Sequence, residues 1–477
     1  MAIINIFFNF ERTDKPMKKF LSLLLVLTMA LSLTALVACD GNKEAPGWQI
    51  GDATFDPDQP VTIRFYSTIG KKNLPVIDAF IEQFMEMYPN ITVEHTQPGG
   101  YDEVRDTIKT ELTVGEQPNI AYCYPDHVAM YNRSGKVITL DQFIDHPEYG
   151  LTAEQKADFI EGFYNEGRQF GDGFMYTLPF SKSTEVLYYN KTFFEANNLK
   201  VPTTWDEMEE VCRQIKAIDP TSTPLGYDSE GNWFITMTEQ YGSDYTSATG
   251  DHYLFDNKTN RDFVKRFASW YDEGLVTTQE LYGAYTSGLF AEQKSYLCIG
   301  SSAGAGYQVI KDAEGNFIAE TGIAPIPQVD GKNNPKVISQ GPSLVILDSG
   351  DAQENIATWL FMKFLTTNIQ LQAEFAMISG YVPVLESVAS YPKYAEYMAS
   401  ANGTDKVTAL AAKVCLEQKN YYYTSPAFNG SSTARDQVGY LMQAAMSGYN
   451  EAAKNGTVDQ LIDKAFKDAI NECENQL

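Results

Sequence analysis

At 477 residues the chain is longer than one ordinary hydrophobic core supports, so two lobes or domains are the default. Apolar residues make up 44% and charged residues 21%, the proportions of a folded globular protein rather than a disordered one. A formal net charge of −26 excludes nucleic acid or an anionic bilayer as a broad binding surface, because both require an excess of Lys and Arg.

Met17-Lys18-Lys19 precedes an uncharged run from Phe20 to Ala38. A basic start, an apolar stretch and small residues at its end read as a secretory signal. Glu11 and Asp14 suit no signal, which points to Met17 as the true start. The run is also long enough for an uncleaved anchor, the alternative at this point. GNKEAPGWQIGDATFDPDQP, residues 41–60, is polar and rich in Gly, Pro and Asp, and reads as a tether. The predicted boundaries are a signal over 1–39 and a tether over 40–58.

Folded sequence is expected from about residue 59. Val61, Ile63 and Phe65 alternate with polar residues, a strand signature. Leu74, Ile77, Phe80, Ile81, Phe84 and Tyr88 follow helical spacing. ITVEH (strand), YDEVRDTIKTELTV (helix), NIAYCY (strand) and HVAMYNRSG (helix) come next. Such alternation argues for βαβ units around a largely parallel sheet. It restarts after Pro179, with a strand over SKSTEVLYYN, a short helix over KTFFEANNL and a longer one over PTTWDEMEEVCRQIKAI. Thr203 and Thr204 each have an acid three residues on, the start of a capping box. YLCI is a strand leading through a Gly/Ser turn into an expected helix. SLVIL then reads as strand, ENIATWLFMKFL as helix, ISGYVPV as extended and QLIDKAFKDAI as helix. Two α/β lobes, with the chain crossing between them more than once, follow from this order.

Gly300, Ser302 and Gly304 spell G-x-S-x-G between a strand and an expected helix, the setting of a nucleophile elbow. Such a hydrolase needs a histidine later in the chain, and the last one here is His252. The 62 acidic residues single out no glycosidase pair. Beyond Cys39, five widely spaced cysteines without C-x-x-C suggest buried thiols. The four histidines show no metal-binding spacing, so neither metal nor cofactor is expected. YYYTSPAF, residues 421–428, is either a sugar-stacking wall or a buried loop.

Leu36-Val37-Ala38-Cys39, VTIRFYSTIG, LPFSKSTEVLYYNK, PTTWDEM, the turn at 300–304, SQGPSLVIL and SGYVPV occur in that order. This set resembles the extracellular solute-binding proteins of ABC transporters, in the branch that takes sugars and glycerol phosphates. The likeness runs over nearly all of residues 58–470 and is strongest to the glycerol-3-phosphate-binding members. It implies cleavage before Cys39, lipid on that sulfur, and a location on the extracellular face of the bacterial membrane. It further implies two α/β lobes joined by a hinge of two or three crossings, closing on a small molecule. On this reading lobe one holds 59–177 and about 322–376, and lobe two holds 178–321 and about 377–477. Partners would be ABC permease subunits, the membrane and the solute, with no nucleic acid and a monomeric chain.

Carried over position by position, the resemblance places ligand contacts at Tyr101, Ser183, Ser301, Gly341 and Tyr381. Arg435 joins them if one residue is deleted after Gly430. Trp233 matches a tryptophan that packs on the ligand. The acid of the family falls on Pro125, and a one-residue shift is needed to reach Asp126. The implied ligand is glycerol 3-phosphate or a glycerophosphodiester, with Arg435 and the amides at 300–304 on the phosphate. The alternative is a neutral mono- or oligosaccharide; a secreted carbohydrate-active hydrolase stands third.

Overall fold

The alternation in VTIRFY buries Val61, Ile63 and Phe65 and forms β1 (Val61–Tyr66) in the computed structural model, which describes residues 45–329 and 334–475. The expected signal, Cys39 and the start of the tether lie outside the described residues. Strands β2 (Ile91–Thr96), β3 (Ile120–Cys123), β4 (Thr177–Pro179), β5 (Ser183–Asn190), β6 (Leu225–Tyr227), β7 (Val276–Thr278) and β8 (Leu297–Ser301) follow. After them come β9 (Ile310–Lys311), β10 (Phe317–Ala319), β11 (Thr321–Ala324), β12 (Val337–Gln340), β13 (Ser343–Ile346) and β14 (Tyr422–Tyr423).

One sheet runs β2-β1-β3-β13-β4. Both faces of its central strand β3 are covered, so IAYC is apolar and buried along its whole length. Ile120 and Tyr122 of β3 join the main core on one face, while Ala121 and Cys123 join a smaller core on the other. The helix Leu74–Met87 covers the first face with Ile77, Phe80, Ile81 and Phe84, the spacing of one helical stripe, and starts on a proline near its N-terminus. Phe84 meets Phe361 at 5.0 Å between ring centroids. On the other face lie the helices Tyr101–Val114 and Pro125–Asn132, which supply Val104, Ile108 and Val128.

The second sheet runs β14-β12-β5-β8-β6-β7, with β11 also paired to β5. Behind it the helix Glu230–Tyr241 packs on the helix Lys258–Asp272 and on the long C-terminal helix Ser431–Asn455. Gly231 allows the closest approach of these helices: a Cβ there would stand 2.9 Å from the carbonyl oxygen of Arg435. The result is α/β with helices flanking each sheet, as the element order implies.

Three expectations need correction. The sheets are mixed rather than largely parallel: β13 is antiparallel to β3 and β4, and β5 is antiparallel to β8, β11 and β12. β13 enters directly from β12 of the other sheet, without the helical crossover that parallel pairing demands. β11 and β12, expected within the first lobe's 322–376, pair with β5 in the second sheet, so the return crossing lies at Gly341-Pro342. The later part of the tether is also docked on the first lobe. Trp48 stacks on Phe143 at 5.9 Å, Ile50 is buried, and the Phe55 amide donates to Tyr149 Oη at 2.9 Å. Three large apolar residues in a polar stretch were the signal for this.

Candidate functional site

The chain passes between the sheets at residues 180–182, between β4 and β5, and at 341–342, between β12 and β13. A third segment lies beside them, where the Val382 amide donates to the Lys182 carbonyl at 2.6 Å. Lys182 and Glu166 form a buried ion pair at this junction. The Lys182 ammonium also donates to the Gly341 carbonyl at 2.8 Å, and Ser343 Oγ donates to Glu166 at 2.7 Å. Gly341 has φ +90°, and a Cβ there would stand 2.1 Å from the Ser181 carbonyl oxygen, so only glycine fits the crossing.

Two cavities flank this junction and share Gln340 and Arg435. The first, of about 300 Å³, is lined from one side by Tyr101, Tyr124 and Asp126 and from the other by Tyr245, Ser431 and Arg435. Tyr101 and Asp126 stand at the starts of two first-lobe helices, while Arg435 sits in the first turns of Ser431–Asn455. The Tyr101 ring lies 4.8 Å from that of Tyr124, and Tyr381 closes on the same cluster. Burial, reinforced by Tyr101, holds the Tyr381 hydroxyl above its ordinary pKa, so it stays a protonated donor. Burial lowers the pKa of His127, which favours a neutral ring near pH 7.

The second cavity, of about 650 Å³, is lined by residues of the second lobe, Gln340 and Arg435 among them. Its floor is a buried carboxylate. Glu185 accepts from Tyr227 Oη at 2.6 Å, from Asn232 Nδ2 at 2.9 Å and from Gln340 Nε2 at 3.4 Å. Burial pushes its pKa up to about 7 against the pull of the Tyr227 and Asn232 hydrogen bonds and of Arg435. Asn232 offers its other end, Oδ1, to the Arg435 guanidinium. Glu185, Asn232 and Arg435 therefore form one chain, in which the carboxylate fixes the amide and the amide holds the arginine. Asp228 accepts from the Thr286 amide and hydroxyl, both at 2.7 Å.

Of the expected contacts, Tyr101, Asp126, Gly341 and Arg435 line the first cavity and Ser301 the second. Tyr381 stands behind Tyr101, and Ser183 is a buried residue of β5, two positions from Glu185 on the same face. Trp233 does not reach either cavity. Its ring is fully buried between Tyr227 at 4.7 Å and Phe267 at 4.2 Å, because the apolar face of Glu230–Tyr241 turns into the core. The Gly/Ser turn opens no α-helix: Ser302–Tyr307 is a six-residue 3₁₀ run, and Ser301 Oγ accepts from the Ala303 amide of its own turn at 3.2 Å. Ser302, the serine of G-x-S-x-G, is buried and accepts from the Thr184 amide at 3.2 Å, so it pins the turn to β5.

Tyr422, Tyr423 and Phe428 are buried, leaving residues 424–427 at the first cavity; the stretch is a buried loop with a polar edge. The five cysteines from Cys123 to Cys473 are buried thiols. Among the described residues no group of three His, Cys, Asp or Glu could hold a metal, and no helix is long and apolar enough to cross a membrane. Sequence reasoning missed Glu185, Asn232, Asp228 and Gln340. Glu185 had left a trace, an acid inside the otherwise buried strand STEVLYYN.

Residues 79–402 match the family model described as bacterial extracellular solute-binding protein. The chain is 25% identical over 332 residues to the maltotriose-binding protein of Pyrococcus abyssi, covering 67% of this chain and 66% of that relative. It is 24% identical over 342 residues to the sn-glycerol-3-phosphate-binding periplasmic protein UgpB of Agrobacterium fabrum, covering 69% and 75%. Its fold superposes on the cyclic alpha-maltosyl-1,6-maltose binding protein of Arthrobacter globiformis with a TM-score of 0.67 at 19% identity, over 87% of this chain and 100% of the other. With a family match over more than half its length and the two-lobe fold described above, the chain belongs to the bacterial extracellular solute-binding proteins.

Proposed function

We propose that this chain is the solute receptor of an ABC importer, acting as a monomer held at the outer face of the membrane by lipid on Cys39. It captures a small hydroxyl-rich solute and passes it on unchanged. One observation carries this reading: Tyr101 and Asp126 approach the first cavity from one lobe, and Tyr245 and Arg435 approach it from the other. A solute bonded to both sides favours the closed arrangement over the open one, which is the basis of hinge capture. Permeases then have a closed, loaded form to recognise. The buried, hydrogen-bonded Ser302 supports binding rather than acyl transfer.

For the solute, Arg435 supports glycerol 3-phosphate or a glycerophosphodiester. Among the described residues it is the only Lys or Arg lining either cavity, and guanidinium is the natural partner of a phosphate ester. Against the carboxylates of Asp102, Asp126 and Asp228, one guanidinium suits a singly charged diester better than a doubly charged monoester. The relative named sn-glycerol-3-phosphate-binding supports the same class. Those carboxylates also favour a second reading, a neutral saccharide, since they accept hydroxyls and need no countercharge. The relative named maltotriose-binding accords with it.

Calorimetric titration of Arg435→Ala separates the two. Loss of a charge-assisted contact is expected to weaken glycerol 3-phosphate or glycerophosphocholine at least about a hundredfold. Maltose or maltotriose would change by less than about tenfold. Phosphate-ester binding that survives intact in the variant overturns the role given to Arg435.

A further inference from the structure

Residues 47–56, a polar stretch ahead of β1, are bound to the first lobe much as a separate peptide would be. Two glutamines clasp their backbone in the same way. Gln142 donates through Nε2 to the Trp48 carbonyl at 2.9 Å and accepts through Oε1 from the Ile50 amide. Gln353 donates to the Thr54 carbonyl and accepts from the Asp56 amide at 2.6 Å. Each side-chain amide thus satisfies one carbonyl and the N–H two residues on, using both its donor and its acceptor. The Trp48 ring extends a stack in which Phe143 lies 5.3 Å from Trp359 of the helix Ala352–Thr367. This strap crosses the pole of the first lobe that lies opposite the cleft. A Cβ at Gly47 would stand 3.3 Å from the Val137 carbonyl oxygen, and Val137 bridges Leu347, where β13 ends beside the start of β3. Tyr101 and Asp126 stand beyond the other ends of β2 and β3.

We propose that the strap orients the chain on the membrane, with this pole of the first lobe toward the bilayer and the cleft and second lobe directed outward. The inference rests on the lipid at Cys39 proposed above. While the strap is docked, only the chain from Cys39 to Gly47 connects lipid to lobe, and a flexible segment of that length spans about 16 Å. Released as far as Val61, the connection would span about 26 Å. The cleft lies farther out by the length of β1, about 20 Å for its six residues. A net charge of −26 opposes lying flat on anionic lipid, so the first lobe stands off the surface on its short connection.

The test is energy transfer from a dye on the lipidated chain to acceptor headgroups in vesicles of phosphatidylcholine and phosphatidylglycerol. The five buried cysteines do not compete for label, so Glu116→Cys, just before β3, reports on the pole and Lys464→Cys on the second lobe. The pole label is expected nearer the headgroups than the second-lobe label. Gln142→Ala/Gln353→Ala is expected to move the pole label outward by about 10 Å. Both glutamines are only half-buried, so the variant is expected to fold, which its melting curve checks, and faster proteolysis within residues 47–56 reports release of the strap. Trp48→Ser, which removes the stacked ring, is a second route to the same release. A pole label that stays in place although the strap is cut faster overturns the proposal. Proteolysis unchanged in both variants overturns the role given to the clasps. A second-lobe label nearer the lipid than the pole label overturns the orientation. A chain that does not float with the vesicles overturns the lipid at Cys39, and the orientation with it, but leaves solute capture standing.

Discussion

Lys182→Met is expected to destabilise the chain by about 3–5 kcal/mol, the cost of leaving one member of a buried ion pair alone. The Lys182 ammonium is 0% exposed and pairs with Glu166 where three chain segments meet. Desolvation lowers the Lys182 pKa, and the contact with Glu166 opposes that shift. Met fills similar volume but leaves the Glu166 carboxylate with Ser343 Oγ as its remaining donor and the Gly341 carbonyl without the ammonium. Urea unfolding measures the loss. Adding Glu166→Leu to the same chain is expected to recover most of it, since replacing a buried pair by apolar groups is often neutral. A loss below about 1 kcal/mol, typical of an exposed pair, would contradict the buried junction.

Trp233→Ala is expected to cost a comparable amount, about 3–5 kcal/mol for a large aromatic removed from a packed core. The ring touches Tyr227, Phe267 and Trp205, and its indole N–H finds no acceptor among the described residues. Trp233→Phe therefore gives up no hydrogen bond and is expected to lose much less stability, with solute affinity unchanged. Calorimetry on the Phe variant decides the point. A folded Phe variant that binds solute tenfold more weakly would restore Trp233 as a ligand contact.

Local patterns in the sequence carried most of the elements. The period of two in VTIRFY, the stripe Ile77-Phe80-Ile81-Phe84 and the Thr204–Glu207 capping box each appear in the structure where they were expected. Pairing between distant segments was not legible in this way. β11 and β12 join the second sheet because β5, paired with β8 on one edge, leaves its other edge for them, and that choice is made by contacts more than 100 residues apart in the chain. The docked segment around Trp48 was hidden by its polar neighbours.

The site divides along the same line. Resemblance led to Tyr101, Asp126, Ser301, Gly341 and Arg435, and all five line one of the two cavities. It erred at Trp233, whose apolar surroundings on Glu230–Tyr241 turn it inward. Glu185, Asn232 and Gln340 escaped notice because their role depends on one another: none is a motif, and only the folded chain joins carboxylate, amide and guanidinium.

Thermal unfolding of the chain against a panel of saccharides and glycerol phosphate esters tests hinge capture most directly. A true solute at a hundredfold excess over its dissociation constant is expected to add about 2.7 kcal/mol of stability. One of the two classes should do so in the wild-type chain, and Arg435→Ala should abolish the shift if that class is the phosphate esters. A panel in which no member of either class raises the melting temperature would contradict the account.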